Sequence, residues 1–94
     1  MNTSYNCYIV SYDLRQPGRN YNDLYEALKS FEGWGKLTES CWALITKRDS
    51  VEIRDILLKY IDANDRLFVM KGGKEAAWRT LIADNEWLQN NLKL

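Results

Sequence analysis

Residues 40–52 read Ser40-Cys41-Trp42-Ala43-Leu44-Ile45-Thr46-Lys47-Arg48-Asp49-Ser50-Val51-Glu52. The stretch from Ser40 to Thr46 is a short apolar run and reads as a strand. Successive side chains of a strand face opposite sides. Here both sets are apolar, Cys41/Ala43/Ile45 on one side and Trp42/Leu44 on the other. Such a strand is covered on both faces. Asp49-Ser50-Val51-Glu52 then matches a capping box, with Asp49 in the position usual for Ser or Thr. Behind it, Ile53, Ile56, Leu57, Tyr60 and Ile61 recur at helical spacing.

The chain on either side repeats this switch of period. Tyr8-Ile9-Val10-Ser11-Tyr12 reads as a strand that stops at Asp13. Gln16-Pro17-Gly18-Arg19-Asn20 has turn chemistry. Tyr21, Leu24, Tyr25, Leu28 and Phe31 then fall on one helical stripe, capped by Asn20 or Asn22 and ended by Gly33. Trp34 to Thr38 is a short run that can pair with the strand after it as a hairpin. Asn64-Asp65 is a turn, Arg66 to Lys71 a strand, and Gly72-Gly73 ends it. The predicted order is β-α-β-β-α-β. That is the split-βαβ arrangement, a ferredoxin-like α+β fold: an antiparallel four-stranded sheet with both helices on one face. Residues 1–71 form its core and 72–94 a C-terminal extension. Within the extension, 74–81 can be a fifth strand or a helical turn, and Asp84 can cap a last helix carrying Trp87, Leu88 and Leu92. Either the extension or a second copy of the chain can cover the second sheet face, and a homodimer is expected.

Composition narrows the chemistry. The chain has 94 residues, which suits a single small domain. It contains no histidine. A Ser-His-Asp triad, a histidine proton relay and a histidine-ligated zinc site are therefore excluded. Thirteen basic residues balance thirteen acidic ones. That argues against a protein that coats nucleic acid by bulk charge. Cys7 and Cys41 are too few and too far apart for a closed zinc site. They read as buried free thiols, with a structural disulfide as the other possibility. No apolar run approaches the roughly 18 residues of a membrane helix. Met1 to Asn6 is polar and lacks a signal-peptide pattern. A cytoplasmic protein without membrane partners is expected.

Three stretches carry a resemblance. Tyr12-Asp13-Leu14-Arg15 opens a segment running through Pro17-Gly18-Arg19-Asn20-Tyr21; Glu39-Ser40-Cys41-Trp42 starts the third strand; Gly73-Lys74-Glu75-Ala76-Ala77-Trp78 opens the extension. Together they resemble the CRISPR-associated protein two family, in the grouping that includes virulence-associated protein D. The short stand-alone SinR-like relatives are the most similar. The resemblance spans nearly the whole chain. It implies a homodimer in which the aspartate ending the first strand binds metal, and Asp13 is the match. Two carboxylates brought together across a dyad repel, which recruits a cation. Mg²⁺ takes one or two carboxylates plus waters and phosphate oxygens, and such an ion supports phosphodiester hydrolysis. The implied activity is a Mg²⁺-dependent endonuclease acting on RNA or DNA, with Asp13 as catalytic and metal-binding residue. The alternative is a non-catalytic dimeric adaptor that binds nucleic acid or protein. Nuclease-type members carry basic residues along the first helix, where this chain has Asp23, Glu26 and Glu32 against Lys29.

Each site residue also has a plainer role. Asp13 can cap the loop through its own backbone as an Asx-turn. Arg15 and Arg19 can grip phosphates or stand as solvated loop charges. Tyr12 can stack on a base or pack within the sheet. Glu39 and Ser40 can line the site or simply start a strand. Trp42 reads as core or dimer interface.

Overall fold

The computed structural model describes residues 4–16 and 18–93. Pro17 of the expected turn and Met1 to Thr3 of the N-terminal segment lie outside the described residues. The elements in chain order are β1 (Asn6–Asp13), α1 (Asn22–Lys29), β2 (Gly33–Thr38), β3 (Cys41–Thr46), α2 (Ser50–Leu57), β4 (Arg66–Lys71) and α3 (Asn85–Asn91). A short 3-10 turn over Leu58–Tyr60 continues α2. The four strands form one antiparallel sheet in the order β2-β3-β1-β4. The result is a small α+β fold.

Local chemistry explains the elements. Asp49 accepts a hydrogen bond from the Glu52 backbone N–H (2.9 Å), and Glu52 accepts one from the Asp49 N–H (3.1 Å), so the capping box is complete in both directions. Helix α1 lacks a side-chain cap: Tyr21 stands at its N-cap, and Asn20 bonds the Asn22 N–H (2.9 Å) just outside it. Gly33 does not end α1. The helix stops at Lys29, and Gly33 opens β2, where a Cβ would come within 2.9 Å of Ile45 Cβ. The Arg19 N–H donates to the Gln16 carbonyl (3.1 Å), and Gly18 takes φ +86°, the left-handed value that a turn of this kind requires.

Two apolar layers flank the sheet. On the helix face, Tyr8, Val10, Trp42 and Leu44 meet Leu24 and Leu28 of α1 and Ile53 and Leu57 of α2. Trp42 is a core residue, 2% exposed. Its indole N–H donates to the Tyr12 hydroxyl (2.9 Å), which in turn donates to the Glu39 carbonyl (3.3 Å). On the other face Cys7, Ala43, Ile45 and Leu37 are buried beneath Leu88 and Leu92, with Trp87, Trp78 and Leu81 packed around them. Both cysteines are free. Burial pushes the Cys7 thiol up to about 11 and the Cys41 thiol in the same direction, so neither is a reactive thiolate.

The extension folds onto its own sheet. Residues 74–81 form neither the strand nor the helical turn that their sequence allows; they run as irregular chain up to Asp84, which caps α3 by accepting from the Trp87 N–H (3.3 Å). Gly35 lies under Trp87, and a Cβ there would come within 2.5 Å of the indole ring. The cover is partial. On β4, Phe68 and Met70 stay 53% and 51% exposed. Among the described residues no helix is long and apolar enough to cross a membrane.

Candidate nucleic-acid interface

β1 delivers its last side chain, Asp13, to the end of the sheet. Alternation sets Ile9, Ser11 and Asp13 on one face of β1 and Tyr8, Val10 and Tyr12 on the other. β4 pairs antiparallel beside it with Asp13 opposite Arg66, Ser11 opposite Phe68 and Ile9 opposite Met70. The open half of the second face is therefore a strip of Phe68 and Met70 with Asp13 and Arg66 at one end.

The Asp13 carboxylate is held between two guanidinium groups. Arg66 Nη1 lies 3.4 Å and Arg15 Nη1 3.7 Å from the same oxygen, Oδ2. All three side chains are solvent-exposed, about half or more of each. Exposed pairs of this kind contribute only about 0–1 kcal/mol each to folding. Stability does not account for gathering them at one strand end.

The β1–α1 loop behind the cluster is tied down by a residue just before the neighbouring strand β4. The Asp65 carboxylate accepts from the Arg15 backbone N–H (2.6 Å), the Asp62 N–H (2.7 Å) and the Tyr21 hydroxyl, which lies 3.0 and 2.9 Å from its two oxygens. Partial burial pushes this carboxyl up, but the three donors outweigh it and leave it below the usual aspartate value. Burial, with the neighbouring carboxylate, raises Tyr21 and keeps its hydroxyl protonated as a donor.

The expected site residues separate accordingly. Asp13 and Arg15 meet. Arg19 does not join them: it pairs with Asp62 (3.3 Å) and lies over the Tyr21 ring, 5.3 Å from its centroid. Tyr12, a candidate for base stacking, is instead buried on the helix face at 6% exposure, bonded to Trp42 and Glu39 as described. Glu39 pairs with Lys36 (3.6 Å) in the β2–β3 turn, and Ser40 offers its carbonyl to the Tyr12 N–H (3.0 Å). Arg66 and Asp65 were not among the expected site residues, though the turn at Asn64-Asp65 and the strand starting at Arg66 were expected.

Within one chain Asp13 is the carboxylate that this end offers a cation, and its Oδ2 already faces two guanidinium groups. Among the described residues no group of three or more His, Cys, Asp or Glu gathers to hold a metal ion; a Mg²⁺ site here would rest on one or two carboxylates with waters and phosphate oxygens. The Asp13–Arg15–Arg66 set fits an anion. Two guanidiniums beside a single carboxylate leave an excess positive charge, and guanidinium forks match phosphate oxygens. Compared with known proteins, the chain matches no family model and no solved structure.

Proposed function

We propose that the protein is a homodimeric, ferredoxin-like nucleic-acid-binding module of the kind found in the CRISPR-associated protein two-like grouping, with the Asp13–Arg15–Arg66 end as its contact with the phosphodiester backbone. The observation that carries this reading is the convergence of Arg15 and Arg66 on Asp13 at an exposed strand end. Recruitment of a phosphate there needs no net charge on the molecule, because the excess is local. The strand order β2-β3-β1-β4 supports the ferredoxin-like reading, since each helix then links two parallel strands with an antiparallel one inserted between them. The exposed Phe68 and Met70 support the homodimer: they share a face with Asp13, and a second copy seated there would bury them.

Mg²⁺-dependent hydrolysis of RNA or DNA is the second reading. It is favoured by the exposure of Asp13 on that same open half, where Asp13 of a second copy can approach it. It stands second because each Asp13 already has two arginine partners within its own chain.

The test is fluorescence anisotropy with short single-stranded RNA over a salt series, using Arg15→Gln, Arg66→Gln and Asp13→Ala. Each arginine variant is expected to weaken binding and to reduce the slope of log affinity against log salt by about one. Asp13→Ala is expected to bind as well as the parent or better. Absence of binding at low salt, or arginine variants that bind as the parent does, overturns the proposal. Cleavage that requires Mg²⁺ and disappears in Asp13→Ala promotes the hydrolytic reading over it.

A further inference from the structure

We infer that Asp65 is the positioning residue of this interface, holding the β1–α1 loop so that Arg15 is presented to phosphate; the phosphate role itself rests on the function proposed above. The loop joins Asp13 to α1 and carries Arg15, Gln16, Gly18, Arg19 and Asn20 as exposed residues. Among its described residues the local ties are the turn at Gly18 and the bond from the Asn22 N–H to Asn20 Oδ1. One carboxylate takes both of its ends: Arg15 through the backbone N–H and Tyr21 through the hydroxyl. Asp65 also accepts from the Asp62 N–H, which closes the turn that carries it. Arg19 adds a second tie to the same turn through Asp62.

The arrangement couples the two arginines. Arg66 follows Asp65 directly in the chain and pairs with Asp13 from β4. Arg15 reaches the same oxygen from the loop that Asp65 anchors. The residue that ties the loop is thus bonded to the residue that supplies the second guanidinium. Loss of the tie would leave Arg66 in register on its strand and release Arg15. Asp65 remains ionised at neutral pH, since its donors hold it below the ordinary aspartate value.

The experiment combines amide hydrogen exchange of residues 15–20 with the salt dependence of binding to a short oligouridylate. Tyr21→Phe removes only a hydroxyl; it is expected to keep the parent circular dichroism and to speed exchange across the loop about tenfold. Asp65→Asn keeps one acceptor oxygen and falls between Tyr21→Phe and Asp65→Ala. Asp65→Ala is expected to lower the salt slope by about one, as Arg15→Gln does. The double variant Asp65→Ala/Arg15→Gln should bind no more weakly than Arg15→Gln alone, because both remove the same contact. Losses that multiply in the double variant overturn the positioning role, as does unchanged loop exchange in Tyr21→Phe. If Asp65→Ala fails to fold, Tyr21→Phe with and without Arg15→Gln carries the same comparison. If the parent protein does not bind oligouridylate, the functional reading falls, and loop exchange in Tyr21→Phe still decides whether the tie exists.

Discussion

The two halves of the sheet's second face are built differently. Over β2 and β3 the extension closes the face, and Ala43, Ile45, Leu88 and Leu92 are buried together. Over β4 the face is open, and Phe68 and Met70 stand half in solvent. The covered half is a fold problem solved within the chain. The open half carries Asp13 with Arg15 and Arg66, all exposed, at one end. The difference teaches that the extension protects the part of the sheet that packing needs and leaves bare the part that recognition can use.

The largest effect should separate the halves outright. Leu88→Ala removes a fully buried side chain from the covered half and should cost about 2–5 kcal/mol of stability in urea unfolding. Phe68→Ser on the open half should leave the stability of the isolated chain within about 0.5 kcal/mol. Its effect should appear instead in light scattering: if the proposed dimer forms, the parent runs at about twice 11.1 kDa and the variant at the mass of one chain. Equal stability losses in the two variants would erase the distinction. Next in size is Gly35→Ala. The added methyl meets the Trp87 ring, and overpacking of this kind costs about 1–3 kcal/mol. Gly73→Ala, with open space around its Cβ, is the control and should change little.

The smallest effect comes from acid. The covered half is held mainly by apolar packing. The loop beside the open half is held by Asp65, whose carboxyl lies below its ordinary value in the folded protein. A depressed carboxylate stabilises fully above the unfolded value of about 3.9, and that contribution is lost as pH falls below it. The stability difference between the parent and Asp65→Asn should therefore stay level from neutrality down to about 4 and shrink as pH falls below that. A difference that stays constant below about pH 4 as well would show that the Asp65 charge does not hold the loop.

The strand and helix order was legible because each element carries its own period. The capping box was legible because its two partners lie three residues apart. Residues 74–81 were not, for the opposite reason: Trp78 and Leu81 follow neither period, and their conformation is set by the sheet they cover. The site was half legible. Asp13 and Arg15 are close in sequence, whereas Arg66 and Asp65 reach them from 53 and 50 residues away, through a β1–β4 register that no local signal reveals. The inward side chain of Tyr12 was legible in part. Adjacent residues of a strand face opposite sides, so a Tyr12 beside an exposed Asp13 had to turn inward.

The backbone bond from the Ile82 N–H to the Leu37 carbonyl (3.1 Å) has a meaning for solubility. β2 and β4 are the two edges of the sheet, and an unpaired edge is a template on which further chains can grow. β4 is guarded by charge, with Arg66 and Lys71 exposed at its ends. β2 has the extension laid against it at Leu37. Proteolytic removal of residues 74–93 would thus uncover an apolar face and unshield a strand edge in a single event, and the truncated chain would be poised to aggregate.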